Sequence, residues 1–324
     1  MLDIILFKDE FLSFLKEKVF VTEPKNLYEP ITYILDLGGK RLRPVLVLMG
    51  ADAFGVDYKN AMNAAAAVEV FHNFTLLHDD IMDDAPLRRK KATVHEKWDV
   101  NTAILSGDAM LILSYEFLEE YDGNVYKKLM KLFNKTALEV CEGQQYDMDF
   151  ETINEVSIEE YIQMIGLKTS VLVAAALKMG AIIAGASEKD ADSIYSFGLN
   201  LGIAFQLQDD YLDAYGDPET FGKQVGGDII ENKKTYLYIQ ALANASEKDK
   251  ALLSELYSQN LKDNTEKIRC VKEIFKNSGA DELTKGAIKS YTERAFSILN
   301  EINLAADKRL VLRMFGENLM ERNV

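Results

Sequence analysis

Two short stretches, HDDIMD at residues 78–83 and QDDYLD at residues 208–213, each place three aspartates at the end of an apolar segment. On a helix, residues four apart lie about 40° apart around the axis and about 6 Å along it. Asp79 and Asp83 therefore share a face, as do Asp209 and Asp213, with Asp80 and Asp210 beside them. Like charges at that spacing destabilise a bare helix by roughly 0.2–0.5 kcal/mol per pair, and burial adds to the penalty. A hard divalent cation resolves the conflict. Carboxylate oxygens suit magnesium, which keeps several waters and binds through one or two carboxylates plus a substrate phosphate. A single such run is ordinarily a solvated helix end; two copies, each closing an apolar segment, shift the weight toward metal binding. A di-iron carboxylate bundle needs two Glu-x-x-His pairs. Glu69 and His72 supply one, and the chain has only three histidines.

Cations stand near these acids. Lys40, Arg41 and Arg43 lie in GGKRLRP, residues 38–44, and Arg88 and Arg89 follow the first acidic run. Lys168, Lys223 and Lys233 fall in or beside polar, helix-breaking stretches. Gly38 and Gly39 let backbone amides approach an anion, and arginine meets phosphate oxygens two at a time. Unit charges about 4 Å apart interact by roughly 4 kcal/mol at an effective dielectric of about 20, and a divalent ion doubles that. Acid, metal, diphosphate and cation would neutralise one another in layers.

The elements that must carry these residues read as helices throughout. Only five prolines occur in 324 residues, Ala, Leu, Glu and Lys are frequent, and alternating β-branched runs are absent. Helical periodicity runs over about 4–19, 28–37, 44–54, 60–83, 101–121, 125–150, 157–185, 188–215, 233–245, 247–258, 264–277, 281–301 and 306–321; strands find no support. The 60–83 segment is apolar nearly all round, so it should be a central buried helix. No Pro/Gly/Ser-rich linker divides the chain, which reads as one domain over 1–324. A net charge of −15 disfavours nucleic acid and anionic membrane as partners. Cys141 and Cys270 lack metal-ligand spacing and read as core residues of a reducing compartment. Acids interrupt the apolar N-terminus and no run of eighteen apolar residues occurs, so a cytoplasmic protein without an integral membrane segment is expected.

From GGKRLRP through DDIMD, RR, GLKTS, FQLQDDYLD, FGKQVGGDI and ENKKT, the chain resembles the trans-isoprenyl diphosphate synthases, or polyprenyl synthetases, of short-chain type. The resemblance implies the all-α isoprenoid synthase fold, with about ten core helices around a deep cavity, the two aspartate motifs facing each other at its mouth, and a homodimer. It implies three Mg2+ ions on Asp79, Asp83 and Asp209, supported by Asp80 and Asp213. Lys40, Arg43, His72 and Arg89 match positions that bind isopentenyl diphosphate. Arg88, Lys168, Thr169, Gln206, Lys223 and Lys233 match those around the allylic diphosphate. His72 precedes Asp79 by seven residues, about 20° away on the wheel, which agrees with its assignment. The implied reaction ionises the allylic carbon–oxygen bond. Metal, Arg88, Lys223 and Lys233 stabilise the leaving diphosphate, while the Thr169 hydroxyl and Gln206 amide support the carbocation before the isopentenyl double bond attacks.

One place departs from the family. RRKKATVH carries Lys90 and Ala92 where Gly and then commonly Pro-Thr-x-His follow the paired arginines, so the turn after Arg89 should differ. The residues that floor the product cavity in this family correspond to Phe74 and Thr75, a pattern similar to enzymes making fifteen- or twenty-carbon products. Family precedent favours Phe74, whereas the helical wheel puts Thr75 nearer the Asp79 face. Two other readings are a terpene cyclase on the same fold, against which GGKRLRP and Arg89 argue, and an inactive subunit of a heteromeric synthase, which intact acidic motifs oppose.

Overall fold

The computed structural model describes residues 2–153, 155–217, 225–259, 261 and 263–321. In chain order the helices are α1 (Leu2–Lys18), α2 (Lys25–Asp36), α3 (Leu42–Ala53), α4 (Met62–Met82), α5 (Val94–Lys97), α6 (Val100–Glu119), α7 (Gly123–Thr152), α8 (Ile158–Ile165), α9 (Val171–Ile183), α10 (Glu188–Tyr215), α11 (Gly227–Ile230), α12 (Tyr236–Asn244), α13 (Glu247–Tyr257), α14 (Thr265–Asn277), α15 (Ala280–Glu301) and α16 (Ala306–Met320). Short polar side chains start several of them. Ser157 opens α8 with a reciprocal capping box to Glu160, and Asp99 and Ser246 accept from backbone amides at the starts of α6 and α13.

Backbone packing divides the chain into two compact units. The first comprises Met1–Lys135, Ala175–Asp192 and Asn303–Arg309. Its centre is α4, whose Ala64–Phe71 stretch is buried on every side, as an all-round apolar helix must be. It packs mainly against α6 and α3. The second comprises Thr136–Ala174, Ser193–Ile302 and Leu310–Val324. Its core gathers Tyr161, Met164, Leu207, Tyr211, Leu237, Val271 and Phe275. The division falls inside helices α7, α9, α10 and α16 and once in the short connection after α15, so composition along the sequence gives no sign of it.

Three expectations need correction. A two-residue antiparallel ribbon, β1 (Leu87–Arg88) with β2 (Lys91–Ala92), exists where no strand was expected. The helix expected over 157–185 is broken by a π-helical turn at Gly166–Ser170, between α8 and α9. Cys141 is exposed and Cys270 half-buried, so neither is a core residue.

Candidate active site

The first acidic run closes α4. Asp79 is half-buried and Asp83 exposed, so both can meet an arriving ion, whereas Asp80 is buried. Arg88 grips Asp80: its Nε lies 2.8 Å from each carboxylate oxygen, and Nη2 lies 2.7 Å from Oδ1. Expected as metal support and diphosphate ligand respectively, these two are first of all each other's partners. Arg88 is delivered by the ribbon, whose turn places Arg89 and Lys90 at φ 53° and 65°. Two consecutive left-handed residues make the tight hairpin that Asn-Gly usually forms. Lys90 thus adopts the left-handed backbone where the family has glycine, and without that glycine the hairpin carries no sequence signature.

The same turn sends Arg89 to the GGKR loop, where its guanidinium donates to the Gly38 carbonyl and lies flat over Gly39. A Cβ at Gly39 would stand 2.8 Å from the guanidinium nitrogens, and its φ of 124° is open only to glycine. Arg41 turns inward. It is buried, pairs with the Glu69 carboxylate and donates to the Leu35 carbonyl. Glu69, weighed above as a metal ligand, is thereby the partner of Arg41 and also accepts from Asn73 Nδ2 at 3.0 Å. Lys40 is exposed. Arg43 Nη1 lies 3.1 Å from His72 Nε2. A guanidinium can only donate, so that nitrogen accepts and the imidazole is neutral. Burial, with Arg43, Arg89, Arg88 and Arg41 adding their charge, holds His72 well below its ordinary pKa. Four arginines thus act on one histidine beside the first acidic run, two of them paired with the carboxylates of Glu69 and Asp80.

The second acidic run closes α10. Asp209 is half-buried, while Asp210 and Asp213 are buried. Asp213 accepts the Asp228 backbone N–H at 3.0 Å, and only glycine at 227 leaves its carboxylate clear: a Cβ there would come within 3.1 Å of Oδ1. Asp210 accepts from the Tyr161 hydroxyl and, at 3.0 Å, from Gln206 Nε2. Burial and the Asp228 charge push its carboxyl up to about 8. Gln206 Oε1 in turn accepts from the Thr169 hydroxyl at 3.4 Å.

Lys168 and Thr169 sit in the π-helical turn, a distortion often found at functional sites. Lys168 Nζ pairs with Asp147 at 2.5 Å. Lys233 pairs with Glu231 at 2.8 Å, which with Asp228 and Asp147 raises its pKa despite burial. Lys223 lies outside the described residues. Asp147, Tyr161 and Asp228 were missed as partners of the site. The GGDI stretch pointed to the last, but a lone Asp or Tyr on a long helix carries no signal of its own.

Phe74 is nearly buried, with its ring 4.8 Å from His78 and 5.6 Å from Phe71. Thr75 is half-buried, its hydroxyl spent on the His72 carbonyl at 2.8 Å.

A family model for polyprenyl synthetases matches residues 24–274. The chain belongs to the polyprenyl synthetase family. It is 38% identical over 299 residues to a geranylgeranyl diphosphate synthase of Methanosarcina mazei, covering 91% of this chain and 89% of that one. A crystal structure of a geranylgeranyl pyrophosphate synthase superposes with a TM-score of 0.95 at 56% identity over 99% of both chains. Another, of geranylgeranyl pyrophosphate synthase from Corynebacterium glutamicum complexed with isoprenyl diphosphate and magnesium, superposes with a TM-score of 0.86 at 27% identity, covering 99% of each chain. This polyprenyl synthetase is therefore a trans-prenyltransferase of isoprenoid biosynthesis with the all-α isoprenoid synthase fold, and that reading stands over a cyclase or an inactive subunit. The apolar segment Ile158–Ile183, long enough by composition to cross a membrane, is mostly buried inside the protein as core.

The donor set fits magnesium. The acids of both runs are hard oxygen ligands, and Asp79, Asp83 and Asp209 retain exposure. Among the described residues no three His, Cys, Asp or Glu side chains converge into a ready-made metal site. Ions held jointly by one or two carboxylates and a diphosphate need no such convergence.

Proposed function

We propose that this polyprenyl synthetase adds isopentenyl diphosphate to an allylic diphosphate and releases a trans, twenty-carbon prenyl diphosphate. The gathering of Arg41, Arg43, Arg88 and Arg89 about His72, one helical face from Asp79 and Asp83, carries the reading. Arg41 and Arg88 are paired with Glu69 and Asp80, so the capacity to hold an anion there rests chiefly on Arg43 and Arg89, which meet the neutral His72 imidazole and the Gly38 carbonyl. The chain's likeness to geranylgeranyl diphosphate synthases supports the product length.

In this reading Lys40, Arg43, His72 and Arg89 hold isopentenyl diphosphate; the neutral His72 donates from Nδ1 and stays fixed by Arg43 at Nε2. Arg88, Lys168, Lys223 and Lys233 meet the allylic diphosphate. Asp79, Asp83 and Asp209, with Asp80 and Asp213, hold three Mg2+ ions, whose charge stabilises the leaving diphosphate when bound. The Thr169 hydroxyl oxygen and the Gln206 amide oxygen face developing positive charge on carbon. Leu105 and Ile112, exposed seven residues apart on one face of α6, support a homodimer. The chain is cytoplasmic in this reading.

The test is to incubate the purified chain with magnesium, isopentenyl diphosphate and a five-, ten- or fifteen-carbon primer, and to identify products by mass spectrometry. A twenty-carbon diphosphate from every primer is expected. A hydrocarbon formed from the allylic substrate alone would overturn the reading.

A further inference from the structure

Gln206 is the one uncharged amide assigned to the carbocation, and its value there depends on which end of the amide faces the substrate. The two ends are nearly the same shape and opposite in polarity: the oxygen would stabilise a cation, the NH2 would repel it. Something must choose between them. In the second unit three further side chains bear on that choice. Thr169 Oγ1 lies 3.4 Å from Gln206 Oε1, Asp210 Oδ1 lies 3.0 Å from Gln206 Nε2, and the Tyr161 hydroxyl donates to Asp210 Oδ2. Tyr161 and Asp210 are buried, at 4% and 6% exposure.

The direction of every bond in this chain follows from Tyr161. Its hydroxyl donates to Oδ2 of the Asp210 carboxyl group and so fixes the rotation of that group, whichever its protonation state. The other oxygen then faces Gln206 as an acceptor and draws the amide NH2. The amide oxygen is left turned to Thr169. Asp210 alone would not suffice, because a carboxylate free to rotate holds its hydrogen-bond partner in several orientations, and each additional member of a buried polar chain narrows them.

We propose that Tyr161 is a positioning residue of the prenyl transfer: acting through Asp210, its hydroxyl sets the Gln206 amide with its oxygen toward Thr169 and the allylic carbon. The proposal rests on the carbocation role assigned to Gln206 above.

The test is a double-mutant cycle on the full-length enzyme with magnesium, isopentenyl diphosphate and farnesyl diphosphate. It comprises Tyr161→Phe, Gln206→Ala and the two combined, each with its melting temperature measured. Tyr161→Phe removes a single oxygen and should lower kcat by roughly tenfold while leaving KM for farnesyl diphosphate within about twofold. In the Gln206→Ala background the same substitution should change kcat by less than about twofold, because the group it orients is gone. A structural role would instead lower kcat by the same factor in both backgrounds, or follow the melting temperature, and that result overturns the proposal while leaving the role of Gln206 intact. If Gln206→Ala itself leaves kcat unaltered, the carbocation assignment and the proposal fall together.

Discussion

Arg43 donates to His72 Nε2 and three more arginines add their charge, so a proton on His72 in the folded chain would face four cations. The pH response follows. Above its ordinary pKa of 6.5 the imidazole is neutral both folded and unfolded, and it makes no difference to stability. Below that value the unfolded chain takes up a proton the folded chain refuses, so stability is lost as the pH falls toward the depressed folded pKa. Thermal melts of wild type and His72→Asn between pH 7.5 and about 5 should therefore diverge, with the wild type falling more steeply; parallel curves would contradict it. Phe74 invites a second substitution. Phe74→Ala should lengthen the prenyl product by at least one five-carbon unit by mass spectrometry, and the lost contacts with Phe71 and His78 should lower stability by about 3–5 kcal/mol. A destabilised enzyme with unchanged product would leave Phe74 a packing residue only.

At the level of elements, the π-helical turn between α8 and α9 is what sets Lys168 against Asp147 and Thr169 against Gln206. Its seat is glycine. A Cβ at Gly143 of α7 would lie 2.2 Å from the Lys168 backbone nitrogen, and one at Gly202 of α10 would lie 2.8 Å from Ser170 Cβ. Backbone against backbone cannot yield by rotating a side chain, so Gly143→Ala must displace the turn. The expected result is a stability loss of about 1–3 kcal/mol and, per folded molecule, a fall in kcat of at least about tenfold, measured by calorimetry and steady-state kinetics; wild-type turnover at reduced stability would show that the turn tolerates movement. The ribbon at 87–92 works similarly: one hairpin turn sends Arg88 to Asp80 and Arg89 to the GGKR loop. Helix ends and turns, more than helix bodies, decide where the charges go.

Across the whole molecule, 52 acidic residues against 37 basic ones work against a diphosphate substrate. Neither acidic run among the described residues forms a ready-made cage, so metal and diphosphate should bind as one charge-neutralising set. Magnesium alone, or inorganic diphosphate alone, should leave the melting temperature nearly unchanged. Together they should raise it, by the equivalent of about 2.7 kcal/mol at a hundredfold excess over Kd; an equal shift with magnesium alone would mean that the acids bind the ion unaided. Helix periodicity, the two aspartate runs and the order of the basic stretches were all legible in the sequence, because each is set within about two turns of helix. Which cations serve the substrate was not. Arg41 lies in the same loop as Lys40 and Arg43, yet it is paired with Glu69, 28 residues away, while Arg88, on the first strand of a hairpin that no glycine announced, is paired with Asp80 at the end of α4. Sequence alone determined that this chain would bring carboxylates and guanidinium groups to the ends of buried helices. Only tertiary structure decided which of them pair with one another, because a charge is committed by the partner that reaches within about 3 Å of it in a desolvated place, and the fold alone chooses that partner.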